Sequence, residues 1–108
     1  MKLLIIGSGG VGQSAAMIIK RAGSEGMWAE KVVISDYNLA KAKEVAALCN
    51  DSRFIAEQID ARDAEQIKAL IQKHEINFVM NAVEPAFNET IFDTCLEAKT
   101  GYLDCAMT

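Results

Sequence analysis

The chain has 108 residues, 51% of them apolar and 24% charged, with a single proline. That is one domain's worth of foldable sequence and excludes a disordered tail. A net charge of −4 and a pI near 4.9 argue against a nucleic-acid-binding surface, and no apolar run approaches the ~20 residues of a membrane span.

The opening run Leu3–Ile6 meets Gly7 too soon for the hydrophobic region of a secretory signal. Residues 2–6 read instead as a buried strand, and a helix follows with Val11, Ala15, Ile18, Ile19 and Ala22 on one face. A second β-branched run, 31–35, is followed by a helix whose apolar face is Leu39, Ala42, Val45, Ala46 and Cys49. The run Phe54–Ile59 predicts a third strand. Asp63 and Gln66 then suggest a capping box ahead of a helix bearing Ile67, Leu70, Ile71 and His74. A fourth strand over 76–83 leads to a helix with Ile91, Phe92, Cys95, Leu96 and Lys99 on one face, and Tyr102–Cys105 closes the series. Gly23 and Gly101 stand where helices call for a left-handed C-terminal residue. Strict alternation of strand and helix predicts an α/β fold: a doubly wound, Rossmann-like parallel sheet of about five strands with helices on both faces. A complete two-half dinucleotide fold has about six strands, so residues 1–108 read as a dinucleotide-binding domain truncated before the substrate domain of a larger enzyme.

The chemistry is concentrated at the strand ends. Gly7-Ser8-Gly9-Gly10-Val11-Gly12 is a G-x-G-x-x-G segment that follows a strand and opens a helix, the context in which it is informative. Gly7 permits the tight turn, Gly9 lets backbone approach a pyrophosphate, and Gly12 lets the helix pack on the sheet. The unpaired amides of the helix start and its positive dipole end favour a phosphate. The other reading is a glycine turn that serves packing alone. A P-loop is excluded, because Gln13 and Ser14 stand where Lys and Ser/Thr are needed.

Asp36 closes the second strand 24 residues after Gly12, near the ~20-residue spacing of the acidic group that binds the adenosine ribose. Its charge would repel a 2′-phosphate, the residues after it are Tyr37 and Asn38, and Lys41 and Lys43 reach only weakly. The cofactor expected is therefore NAD, with NADP the weaker fit. Asp36 also reads as a cap for the helix that begins near Asn38. Asp60 and Ala61 would border the adenine, although Asp60 reads equally well as a loop residue satisfying backbone amides. Asp63 reads as a cap. Asn81, Ala82 and Val83 would lay backbone along the ribose and nicotinamide, with Pro85 starting the next helix.

Three cysteines without CxxC or metal-like spacing fit a reduced, cytoplasmic protein without a metal site. Cys49 and Cys95 read as small core residues, Cys105 lacks a base to activate it, and His74 reads as a helix-terminal residue more than a base. Met27 and Trp28 read as loop anchors or as an exposed interface patch, and a homodimer is compatible with the sequence.

The segments Gly7 to Gly12, Asp36, Ile59-Asp60-Ala61-Arg62-Asp63, Asn81-Ala82-Val83-Glu84-Pro85-Ala86-Phe87 and Ala98-Lys99-Thr100-Gly101-Tyr102-Leu103-Asp104 together resemble the N-terminal NAD(P)-binding domain of the saccharopine dehydrogenase family. The Asn-Ala-x-x-Pro loop and the late Gly-Tyr-Leu-Asp are the more discriminating parts. The resemblance implies an NAD(P)-dependent oxidoreductase of amino-acid metabolism, making or breaking the CH–NH bond of a secondary amine between an amino acid and an oxo acid, as in lysine metabolism through saccharopine. Ser35-Asp36-Tyr37-Asn38 stands where NADP-using members tend to carry an arginine, which points away from the polyamine branch. The family's amino-acid substrate site and catalytic side chains lie outside these residues, so no catalytic residue is assigned and the chain alone is expected to bind cofactor without turnover. The alternative from another class is a non-enzymatic nucleotide-sensing domain of the potassium-transport type, which opens with the same strand, glycine loop and acid.

Overall fold

Apolar side chains run almost unbroken along the strand segments, as expected where both faces of a sheet are covered. The computed structural model describes residues 1–7, 9–21, 29–82 and 88–104. The elements are β1 (Lys2–Ile6), α1 (Gly10–Arg21), β2 (Lys31–Asp36), α2 (Leu39–Cys49), β3 (Phe54–Gln58), α3 (Ala64–His74), β4 (Phe78–Asn81), α4 (Asn88–Glu97) and β5 (Gly101–Asp104). All strand pairs are parallel, in the order β3-β2-β1-β4-β5. The order reverses between β1 and β4, which places the topological switch point at the carboxyl end of β1.

Alternation along the strands divides the core. Leu3, Ile5, Val32 and Ile34 pack against Ala16 and Ile19 of α1 and Ala42, Val45 and Cys49 of α2. Leu4, Ile6, Val33 and Val79 meet Ile67, Leu70 and Ile71 of α3 and Ile91 and Cys95 of α4. Helices therefore cover both faces, as the alternation predicts.

Two helix faces are narrower than the spacing suggests. Ile18 is 66% exposed, because α1 turns Gly12, Ala16 and Ile19 inward. In α4, Ile91, Thr94 and Cys95 are buried while Phe92 and Leu96 lie about 100° round the helix and are exposed. Leu39 is exposed at the start of α2, and Lys99 falls beyond α4.

Helix ends follow side-chain chemistry. Asn38, and not Asp36, caps α2, its Oδ1 accepting from the Ala40 amide at 3.0 Å and the Lys41 amide at 3.4 Å. Asp63 caps α3 through the Glu65 amide, and Gln66 donates to Asp63 Oδ2 while its Oε1 accepts from the Asp60 amide. The reciprocal arm of the capping box is thus redirected to Asp60. The left-handed residues after α2, α3 and α4 are Asn50, Glu75 and Lys99. Gly101 is instead the first residue of β5, beside Phe78, where a Cβ would lie 2.5 Å from the ring. Gly23, Ala22, Met27, Trp28, Pro85 and Cys105 lie outside the described residues.

His74 is buried at the end of α3. Its Nε2 lies 2.6 Å from Glu57 Oε2, and Lys31 Nζ lies 3.2 Å from Nδ1. An ammonium can only donate, so Nδ1 accepts and Nε2–H donates to Glu57. Burial raises the Glu57 carboxyl, but hydrogen bonds from Lys73 and His74 outweigh it and hold the group below its usual range.

Burial of Cys95 in the α4 face pushes its thiol from 9.0 up to about 11. A raised folded-state value means that the stability it contributes is complete below pH 9.0 and lost as pH rises toward 11. A displacement of this size corresponds to about 2–3 kcal/mol. Urea unfolding at pH 8 and 10.5 should show a loss of that order in the parent chain and a smaller one in Cys95→Ala; equal losses in both would contradict it.

Candidate functional site

At the switch point β1 gives way to Gly7, whose φ of 102° lies in the region that favours glycine. Its amide donates to Ser35 O of β2 at 2.7 Å. Gly12, one turn into α1, faces this bend: a Cβ there would lie 1.9 Å from Gly7 O and 3.6 Å from Ala82 Cβ. The absent side chain is what lets α1 begin directly over the end of β1. The first helical bond of α1 runs from Gln13 N to Gly9 O, so the Gly10, Val11 and Gly12 amides precede the hydrogen-bonded ladder. No acidic residue occupies the first turn of α1, and its dipole is left to favour an external anion. Gly9 and Gly10 are exposed, and among the described residues a Cβ on either would meet nothing within 4 Å. Nothing described in the fold demands glycine at these two positions.

Beside this turn lies a cleft of about 240 Å³ lined by Ile6, Gly7, Asp36, Tyr37, Ile59, Asp60, Ala61 and Arg62. Parallel pairing builds it: Asp36 stands opposite Gln58 at the ends of β2 and β3, and the Ile59 amide donates to Asp36 O. Asp36 Oδ1 accepts from the Asn38 amide at 2.9 Å, which fixes the carboxylate at the cleft edge. Tyr37 is exposed.

Asp60 makes a similar local turn, its Oδ1 accepting from the Arg62 amide at 3.0 Å. Arg62 also forks onto it, Nε to Oδ1 and Nη2 to Oδ2, both at 3.1 Å. The side-chain fork and then the amide hold the Asp60 carboxyl below the ordinary carboxylate range, and Asp60 in turn raises the guanidinium. Of the residues expected at a site, the cleft unites Gly7, Asp36, Tyr37, Asp60 and Ala61. Gly9, Gly10, Val11 and Gly12 form the adjoining helix start.

Asn81 ends β4 but its side chain is buried and donates to Tyr102 OH at 2.9 Å. The Ala82 amide donates to Ile6 O. Asn81 thus ties β4 to β5 through its side chain. Ser8 and Val83 lie outside the described residues. Ile6, Ile59 and Arg62 also line the cleft, beyond the residues expected at a site. The two isoleucines look like any strand residue in sequence. Arg62 could have been found from the Asp-x-Arg spacing, which suits a side-chain turn closed by an ion pair. Among the described residues no group of histidine, cysteine and acidic side chains could hold a metal, and no helix is long and apolar enough to cross a membrane.

A family model described as the saccharopine dehydrogenase NADP binding domain matches residues 3–108. The matched domain holds a nicotinamide dinucleotide. A carboxynorspermidine synthase of Vibrio cholerae is 27% identical over 116 aligned positions, covering 100% of this chain and 27% of its own length. A carboxyaminopropylagmatine dehydrogenase of Synechocystis is 29% identical over 105 positions, 97% of this chain and 25% of the relative. The chain therefore spans about a quarter of the length of these relatives. Carboxynorspermidine synthases stand among its relatives, against the expectation that Ser35-Asp36-Tyr37-Asn38 sets it apart from that branch. In fold it resembles saccharopine dehydrogenase (L-Glu forming) from Saccharomyces cerevisiae, with a TM-score of 0.79 at 17% identity over 99% of this chain and 22% of that one. It also resembles a UDP-glucose-4-epimerase from Stenotrophomonas maltophila, with a TM-score of 0.75 at 17% identity over 96% of this chain and 36% of that one.

The two glycine environments predict opposite phenotypes. Gly12→Ala should cost about 3 kcal/mol or more in urea unfolding, at or above the upper range for overpacking, because the obstructing atoms are backbone. Gly9→Ala should change stability by no more than about 0.5 kcal/mol and instead weaken dinucleotide binding in calorimetry. Equal stability losses in the two variants would contradict this account of the turn.

Proposed function

We propose, for a chain that belongs to the saccharopine dehydrogenase NADP-binding domain family, that residues 1–108 are the cofactor-holding domain of an oxidoreductase acting on the CH–NH bond of a secondary amine. The substrate would join an amino acid to an oxo-acid skeleton, in lysine or related amino-acid and polyamine metabolism, and would be bound by a further domain. The names of the relatives support this class of chemistry, and family membership favours it over a potassium-transport-type sensing module. Buried free Cys49 and Cys95 suit a reduced, cytoplasmic setting.

The observation that carries the reading is the junction of the Gly12-enabled helix start with the cleft edged by Asp36. Backbone of Gly7, Ser8, Gly9, Gly10, Val11 and Gly12 would cradle the diphosphate, with the amides ahead of the α1 ladder donating to it. Asp36 would accept from the adenosine ribose hydroxyls, while Tyr37, Asp60 and Ala61 would border the adenine. Backbone at Asn81, Ala82 and Val83 would flank the nicotinamide ribose, with Asn81 held in place by Tyr102. The cofactor supplies hydride exchange, and this domain supplies its position.

The same geometry favours NAD over NADP. A 2′-phosphate beside Asp36 would place two anions together in a partly desolvated cleft, and Arg62, which could offset them, is forked onto Asp60.

Fluorescence or calorimetric titration of the chain with NADH and NADPH tests the reading. NADH should bind saturably and more tightly. Asp36→Ala should weaken NADH by about 10–100-fold, the range for lost hydrogen bonds to a charged group, and weaken NADPH less. Saturable binding of neither nucleotide would overturn the dinucleotide site, and unchanged NADH affinity in Asp36→Ala would remove the ribose role.

A further inference from the structure

Among the described residues that line the cleft, Arg62 is the only cation. Its guanidinium is the group with which a ribose 2′-phosphate would pair, since the planar fork fits phosphate as it fits carboxylate. The fork is already filled by Asp60, two residues earlier, through Nε–Oδ1 and Nη2–Oδ2 contacts of 3.1 Å. Asp60 is itself anchored from both sides. Its amide donates to Gln66 Oε1 at 2.9 Å, and its Oδ1 also accepts from the Arg62 amide at 3.0 Å. The Arg62 side chain remains 67% exposed against 25% for Asp60. The carboxylate is thus the fixed member and the arginine the member free to swing once released.

We infer that Asp60 is a specificity-determining residue: by occupying the Arg62 fork it denies that arginine to a 2′-phosphate and holds the domain to the unphosphorylated dinucleotide. The inference rests on the proposed placement of the adenosine ribose at Asp36. Carboxylate and phosphate compete for one guanidinium, and a carboxylate two residues away competes at high effective concentration whatever ligand enters. The selectivity therefore lies in the pair, beyond the repulsion that Asp36 exerts alone.

Calorimetric titrations with NAD and NADP on the chain, Asp60→Asn, Arg62→Ala and the double variant test this, each first shown to be folded by circular dichroism, with Asp60→Ser in place of Asp60→Asn should that variant fail to fold. The quantity read is the ratio of NADP affinity to NAD affinity. Asp60→Asn should raise it about tenfold, Arg62→Ala should change it less than twofold because its charge is already engaged, and the double variant should return within about threefold of the parent. No rise in Asp60→Asn overturns the inference. So does a rise retained in the double variant, or equal and opposite changes in the two single variants, which simple addition of charges would give. A folded Asp60→Asn chain that binds neither nucleotide also overturns it, by showing that Asp60 is needed for binding itself. A parent chain that binds neither nucleotide instead defeats the dinucleotide reading on which the inference rests.

Discussion

The contact between Gly12 and Gly7 sets the geometry of the carboxyl end of this sheet. With a Cβ at Gly12 only 1.9 Å from Gly7 O, α1 could not begin where it does, and its opening amides would be displaced from the strand ends. The bend at Gly7 is held from the other side by its bond to Ser35 O. Ser35 is in turn buried and donates through Oγ to Ile5 O at 2.8 Å. One missing side chain, one left-handed φ and one buried hydroxyl thus join β1, β2 and α1 at the point where the strand order reverses. The cleft between Asp36 and Asp60 is the space that this junction leaves.

The sheet can support such a junction because its strands are sealed on both faces. Leu3 and Ile5 belong to one core, Leu4 and Ile6 to the other, so β1 cannot slip by one residue without exchanging every contact it makes. Register fixed by packing is what brings Asp36 and Gln58 level and delivers Asp60 beside Ile6 and Gly7. The site is a consequence of where the strands stop.

The strand and helix order was readable because buried parallel strands are short β-branched runs and helices repeat near 3.6 residues, and those signals are local. Gly7 and Gly12 were readable for a similar reason: the turn and close approach are built within six residues. Helix phase was less so. Ile18, Phe92 and Leu96 are apolar and sit next to buried neighbours, and only the neighbouring elements decide that they face outward. The role of Gly101 depends on Phe78, 23 residues earlier in sequence, and its left-handed neighbour Lys99 has no glycine-like signature. Arg62 was invisible as a cleft residue because its closeness to Asp36 depends on β2–β3 pairing, whereas its partnership with Asp60 is local. Immediately after Asp36 the chain has Tyr37 and Asn38 and no arginine, but folding supplies one from the next strand's end.

Polar bonds tie both ends of the sheet, and each end combines bonds between strands with aspartates that close their own turns. At the amino end several partners are distant in sequence: Lys2 N donates to Asn77 Oδ1, Asn77 N to Lys2 O, Glu30 N to Met1 O, and Lys2 Nζ reaches Glu75, while Asp51 closes a local turn on the Arg53 amide ahead of β3. The distant bonds bridge the segments that enter neighbouring strands and close that end of the sheet. At the carboxyl end the acids bond to amides two residues ahead, Asp36 to Asn38 and Asp60 to Arg62. The turns are also linked to each other, by Ile59 N to Asp36 O and Gln58 Nε2 to Tyr37 O, so that Asp36 borders the cleft on one side and Asp60 on the other. Ion pairs with a solvent-exposed partner, such as Asp60–Arg62, add little to stability. Their effect is on placement: they fix the charges at the rim while the two apolar cores supply the stability that keeps the rim apart.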